Sequence, residues 1–299
     1  FRMERERKII PRFLEEWVTT GLAVGYLRVD RLKTKEAMAY FAHVITSFIA
    51  HEKRFPSQDA KHLLEAFPKK ILGEENIPSR GPLLVVANHT SEGPLRGNWE
   101  SLLLGALVTT KREKSPVSQE LHWVMQEGLE MSIFGKKLGR MVPLVTDFSK
   151  AVIYSYDFIP MTLYFLEKND GKREQTSSLL RAVRLFRDGG IIGSYPEGTV
   201  SYELKRALPQ AGKFFTVLGK NSPEAVLLPS AAWEEEKILQ VKFGPPLALG
   251  KVLAEINKDA KIGEEKNEFY QQVADYVMEK VALNLPEDRH GVYAASCLR

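Results

Sequence analysis

"LLVVANHTSEG", residues 83–93, decides the fold class. Leu83, Leu84, Val85, Val86 and Ala87 form an unbroken apolar run, too short for a typical helix. Such a run reads as a strand buried on both faces, which needs helices above and below its sheet. It stops at Asn88 and His89, and a polar, Gly-containing turn follows. Asn and His tolerate irregular backbone, so an ordinary strand end would account for them. Whether the imidazole has chemical work depends on what else reaches the same sheet edge.

Outward from this strand, apolar runs and helical patterns alternate. With Leu83–Ala87, strands are predicted at His122–Met125, Met141–Val145, Gly190–Tyr195, Ala225–Leu228 and Ile238–Phe243. Helices are predicted between them at Ser101–Val108, Leu129–Leu138, Ser177–Arg187 and Ala211–Gly219, with a last one from Glu268 to Leu283. The alternation predicts an α/β fold, a mostly parallel central sheet flanked by helices. Too few residues separate the last two strands for a helix, so that pair is expected to be antiparallel.

The first 70 residues read differently. Met38, Phe41, Ile45, Phe48 and Ile49 fall at helical spacing, and Asp59–Phe67 reads as a second short helix after Pro56. Residues 1–70 are therefore expected as a helical N-terminal segment and 71–299 as the α/β domain. Arg2, Arg5, Arg7, Lys8 and Arg12 make the start basic. The segment reads either as a helical cap on the main body or as a platform on a membrane surface. The aromatic stretch "AVIYSYDFIPMTLYFL", residues 151–166, reads as a core helix broken at Pro160, or alternatively as a lining for an acyl chain.

Composition removes several classes. A net charge of +4 over 299 residues is too mild for a nucleic-acid partner, and suits an anionic ligand or membrane face. The single cysteine, Cys297, rules out an internal disulfide and points to a reducing compartment. No apolar run reaches the roughly 18 residues of a membrane span. The chain starts with Phe, so a preceding anchor or targeting segment stays open. The six histidines are scattered, without H-E-x-x-H, so no metal site is expected. The segment around Ser194 is no G-x-S-x-G elbow, and neither "LGKN" nor "LGKV" completes a phosphate-binding loop.

A second stretch follows the logic of the first. "GGIIGSYPEGT", residues 189–199, is an apolar strand ending in a Pro-Glu-Gly-Thr turn. Ligands of open parallel sheets sit at the C-terminal strand ends, so two polar turns at that edge can converge.

Taken together, Asn88-His89, "LGRMVPL" at 138–144, Tyr195-Pro196-Glu197-Gly198-Thr199 and Leu228-Pro229 resemble, in order and separation, four blocks of the glycerolipid acyltransferase family. That family includes lysophosphatidic acid and glycerol-3-phosphate acyltransferases. The resemblance spans roughly residues 80–247. It implies an enzyme that moves an acyl group from an acyl thioester donor (acyl-CoA or acyl carrier protein) to a hydroxyl of a lipid acceptor. It implies no cofactor, a peripheral place at a membrane surface on the cytoplasmic side, and a part in phospholipid metabolism. His89 and a carboxylate would be catalytic. Asn88, Glu197, Gly198, Thr199 and Arg140 would bind substrate; the turn near Gly198 would supply N–H donors to the oxyanion, and Glu197 would organise that turn or bind an acceptor hydroxyl.

Two departures qualify the match. The family's Asp, separated from the His by four residues, is here Pro94, leaving Glu92 and Glu100 as carboxylate candidates. Glu100 opens the predicted helix "ESLLLGAL", as the family's Asp does, and is preferred; Glu92 lies within the inserted "EGPLRG". The Arg expected after Pro-Glu-Gly-Thr is Val200, and Thr146 stands where another basic residue is expected. Arginine pairs with phosphate through two parallel hydrogen bonds, and Val cannot. Either the acceptor lacks that phosphate, or Arg140, Lys205 or Arg206 supplies the charge. A non-catalytic lipid-binding protein and a thioesterase-like hydrolase are the competing readings.

Overall fold

A computed structural model describes residues 40, 43, 44, 46–48, 50–65, 67–90, 99–113, 120–125, 132, 133, 136, 137, 150–161, 172–259 and 266–297. Its strands are β1 (Lys69–Leu72), β2 (Leu83–Ala87), β3 (Leu121–Met125), β4 (Ser132–Ile133), β5 (Lys136–Lys137), β6 (Ile159–Pro160), β7 (Ile191–Ser194), β8 (Val226–Glu235), β9 (Ile238–Phe243) and β10 (Leu247–Ala248). The main helices are α1 (Pro56–Leu64), α2 (Trp99–Lys111), α3 (Lys172–Arg187), α4 (Pro209–Asn221), α5 (Leu249–Asp259) and α6 (Lys266–Ala282).

One sheet organises the chain. Its strands lie in the order β1-β9-β8-β2-β7-β3-β6, with β10 against β8. Pairing is parallel except for β8 with β9 and with β10. The fold is thus α/β with a mostly parallel sheet, and the expected antiparallel pair is β8–β9.

β2 sits near the middle, and all five of its residues are buried. Alternation sends Leu83, Val85 and Ala87 to one face, against Leu63 and Leu64 of α1, Leu104 and Val108 of α2, and Ile153, Tyr156 and Phe158. Leu84 and Val86 point to the other face, against Phe186 of α3, Phe215 and Leu218 of α4, Val252 of α5 and Val277 of α6. Burial on both sides is why the strand carries no polar residue.

The structure also differs from the sequence reading. Residues 132, 133, 136 and 137 fall within the predicted helix Leu129–Leu138, but they are extended, with Ser132 opposite Lys137. β-branched Ile133 and nearby Gly135 disfavour the helix that the apolar spacing suggested. Helix α5 and strand β1 were not anticipated. β8 continues seven residues beyond the predicted Leu228, through Pro229 and Ser230. The predicted strand Met141–Val145 lies outside the described residues.

Of the N-terminal stripe, Phe48 is buried, as is Val44, and both join the cluster beneath β2. Met38, Phe41, Ile45 and Ile49 lie outside the described residues. In the aromatic stretch, Ala151, Ile153, Tyr156 and Phe158 belong to the same core. Among the described residues no helix is long and apolar enough to cross a membrane.

Candidate active site

β2 and β7 are adjacent and parallel, with Val86 level with Ser194. Asn88-His89 and Tyr195-Pro196-Glu197 therefore leave the sheet side by side at its C-terminal edge. The strand alternation of Leu83, Val85 and Ala87, continued two residues, assigns His89 to the face covered by α2. Glu100, in the first turn of α2, is wholly buried there. His89 Nδ1 lies 2.7 Å from Glu100 Oε1. A neutral imidazole paired with a carboxylate in this way carries its proton on Nδ1 and leaves Nε2 as the acceptor. Nε2 has no partner among the described residues, and the side chain keeps 17% exposure. Of the pair, His89 is the partly exposed member and Glu100 the buried one.

Glu197 fixes the backbone around this pair. Its Oε2 accepts the His89 N–H at 3.2 Å. Its Oε1 accepts the Lys205 N–H at 2.7 Å and the Ser201 hydroxyl at 3.2 Å. The Ser201 N–H in turn donates to the His89 carbonyl at 2.9 Å. One carboxylate therefore ties the end of β2 to the loop after β7. Burial raises the Glu197 pKa, and the three donors oppose that by favouring the charged form.

Asn88 turns into the sheet. Its Nδ2 donates to the Ala232 carbonyl and its Oδ1 accepts the Ala232 N–H, both at 2.9 Å. The amide extends the β2–β8 ladder by one side-chain pairing, bracing the end of β2. Gly198 has φ +62°, a left-handed conformation that explains glycine there, and its N–H donates to the Tyr195 carbonyl. That N–H closes the turn and does not point outward as an oxyanion donor. Thr199 is exposed, as is Val200. Lys205 pairs with Glu203 and Arg206 with Asp275, both at the surface. Arg140, Thr146 and Glu92 lie outside the described residues.

Three aromatic rings form a stack that the sequence reading missed. His89 lies 4.4 Å from Tyr195 at 14°, and Tyr195 lies 4.4 Å from Trp123 at 2°. The Tyr195 hydroxyl and Ser101 Oγ are 2.7 Å apart, and Trp123 Nε1–H donates to the Ser101 carbonyl at 3.0 Å. Burial pushes the Tyr195 phenol well above its ordinary range, and the Glu100 charge adds to this. Strand parity was the available signal: Ile191, Gly193 and Tyr195 share a face.

Residues 69–229 match the family model described as Acyltransferase, more than half of the chain. The chain belongs to the acyltransferase family. In this acyltransferase the matched stretch runs from β1 into β8 and contains His89, Glu100, Tyr195 and Glu197. Among solved structures it is similar to the 1-acyl-sn-glycerophosphate (LPA) acyltransferase PlsC from Thermotoga maritima, at 16% identity and a TM-score of 0.40 over 91% of this chain and 97% of that one. No curated protein matches the chain.

Proposed function

We propose that this acyltransferase moves a fatty acyl group from a thioester to a lipid hydroxyl, with His89 as general base. The observation that carries the reading is the 2.7 Å His89–Glu100 pair with Nε2 turned out at the sheet edge. Nε2 takes the hydroxyl proton as the oxygen attacks the thioester carbonyl carbon. Glu100 holds the tautomer and stabilises the imidazolium that forms. The C–S bond then breaks, and the thiolate leaves with the proton returned from Nε2. Glu197 acts through the backbone, setting where His89 stands.

The acceptor is a lipid other than one held by a phosphate–arginine pair at position 200. Val200 is exposed at that place, and Lys205 and Arg206 already have carboxylate partners. An apolar side chain cannot offset the desolvation of a phosphate. The donor is acyl-CoA or acyl carrier protein, and the protein works peripherally at a membrane surface in lipid synthesis or remodelling.

The test is incubation with a radiolabelled acyl thioester and mixed lysolipids. Acylated lipid as the main product, lost in His89→Ala, supports the proposal. Free fatty acid as the main product makes the protein a hydrolase, and neither product makes it a lipid-binding protein.

A further inference from the structure

Among the described residues the imidazole has two restraints: the Glu100 carboxylate at its Nδ1 and the Tyr195 ring against its face. We infer that Tyr195 is a positioning residue for His89, its ring face fixing the imidazole plane and stabilising the imidazolium formed during acyl transfer. The inference rests on the acyl-transfer reading for its kinetic consequence and on the stack for its physical one.

The arrangement follows from strand order. β2, β7 and β3 are consecutive neighbours in the sheet. His89, Tyr195 and Trp123 come from those three strands or their ends, on one face. Neighbouring strands lie about 4.8 Å apart, close to the stacking distance of aromatic rings. Gly193 is level with both Val85 and Trp123. A Cβ at Gly193 would lie 2.5 Å from the Trp123 ring, so only glycine leaves room for the indole to lie over β7. Trp123 then backs Tyr195, and Tyr195 backs His89.

The hydrogen bonds lock the stack to the catalytic helix. Ser101 follows Glu100 directly, and it holds the Tyr195 hydroxyl through Oγ and the Trp123 indole through its carbonyl. Any shift of α2 that moved Glu100 would move the stack with it. A cation over an aromatic face within about 6 Å of the centroid is attracted by the ring quadrupole. At 4.4 Å, Tyr195 meets that condition once His89 is protonated. An ordinary packing residue would need neither the near-parallel planes nor the Ser101 anchor.

The experiment compares Tyr195→Phe, which keeps the ring, with Tyr195→Leu, which fills the space without a π face. Histidine-labelled protein is observed by NMR, with the His89 signal assigned by its loss in His89→Ala. Wild type and Tyr195→Phe should show the His89 ring protons shifted upfield by the neighbouring ring current. Tyr195→Leu should lose that shift. In the transfer assay, Tyr195→Leu should lower kcat about tenfold with little change in KM for the thioester, while Tyr195→Phe retains most of kcat. An unchanged His89 signal in Tyr195→Leu overturns the inference, as does equal impairment of both variants, which would assign the effect to the hydroxyl. Absence of transfer in wild type would sink the proposed function alone, since the NMR arm still decides the stack.

Discussion

Two clusters of charge lie buried on the same face of the sheet, and they are built differently. Beneath α1, Asp59 is only 1% exposed. It accepts from Arg54 Nε at 2.8 Å and from Arg54 Nη2 at 2.5 Å. It also accepts from Tyr40 at 2.7 Å and from Tyr156 at 2.9 Å. Arg54 Nη1 donates to Ser47, and the Arg54 N–H donates to the Ser155 carbonyl. Both carboxylate oxygens are doubly bonded, and the network is closed. At the end of β2, Glu100 Oε1 meets His89, while Glu100 Oε2 and His89 Nε2 have no partner among the described residues. That network is open. A closed cluster holds structure together; an open one keeps an unmet hydrogen-bonding capacity in a low-dielectric place, which costs stability unless a ligand completes it.

The sharpest way to break this contrast is to exchange the phenotypes. His89→Ala should lower acyl transfer by at least about a hundredfold, the ordinary contribution of a general base. Its melting temperature should stay within a few degrees of wild type, because His89 is at the edge of the core. Asp59→Asn should do the reverse. It leaves the Arg54 guanidinium, 11% exposed, without its counter-charge. Breaking such a buried pair costs about 3–5 kcal/mol. Transfer per folded molecule should be unchanged, measured at a temperature where the variant is still native. A stable, inactive Asp59→Asn or an unfolded His89→Ala would erase the distinction between the two clusters.

Glu197 falls between the two cases, and its variant sharpens the comparison. Glu197→Gln keeps one acceptor oxygen but presents an NH2 group to an N–H donor. With the oxygen kept toward Lys205 and Ser201, the His89 N–H loses its partner. A hydrogen bond to a charged group is worth about 1.5–3 kcal/mol, and the loss should appear in urea unfolding. Because the lost contact is at His89 itself, kcat should also fall, by less than in His89→Ala. A stability loss with kcat intact would make Glu197 a brace with no bearing on chemistry.

The closed and open clusters were unequally legible in the sequence. β2 was read with its observed bounds because five consecutive apolar residues admit few alternatives. Glu100 was reachable because it opens a helix and a resemblance pointed there. Glu197 was legible as an organiser of its own turn, since Lys205 is close in sequence, but not as a tie to His89, 108 residues away. Asn88 was visible as a residue but not as a brace, since its partner, the Ala232 backbone, lies 144 residues along the chain. The stack was hidden for a related reason: that β7 lies between β2 and β3 is a fact of strand order, which no local pattern carries. Arg54–Asp59 sits five residues apart, yet its closure depends on Tyr156, nearly a hundred residues away. β8 was cut short because Pro229 and Ser230 look like a strand end. In the sheet the Pro229 carbonyl accepts from Gly244, and the strand runs on.

The smallest expected effect concerns pH and a third buried polar group. His122 on β3 is 3% exposed, and its Nδ1–H donates to the Asp157 carbonyl at 2.7 Å. Burial lowers its pKa from the ordinary 6.5, and the nearby Arg181 charge acts in the same direction. The Asp157 carbonyl, the Asp157 carboxylate and Glu120 oppose the shift without reversing it. The folded chain therefore binds a proton at His122 less readily than the unfolded chain does. Its contribution to stability is complete above about pH 6.5 and is lost as pH falls toward the folded pKa. Glu197 has the opposite sign: its raised folded pKa favours the fold at low pH, and that contribution declines as pH rises through the folded value. A wild-type profile alone mixes the two, so the measurement is a difference. His122→Asn can keep a donor toward the Asp157 carbonyl while removing the titration. Between pH 7 and pH 5, wild type should lose stability relative to His122→Asn, with the gap closing at neutral pH. Parallel profiles over that range would mean that His122 is as readily protonated in the fold as in the open chain, and that its burial carries no pH cost.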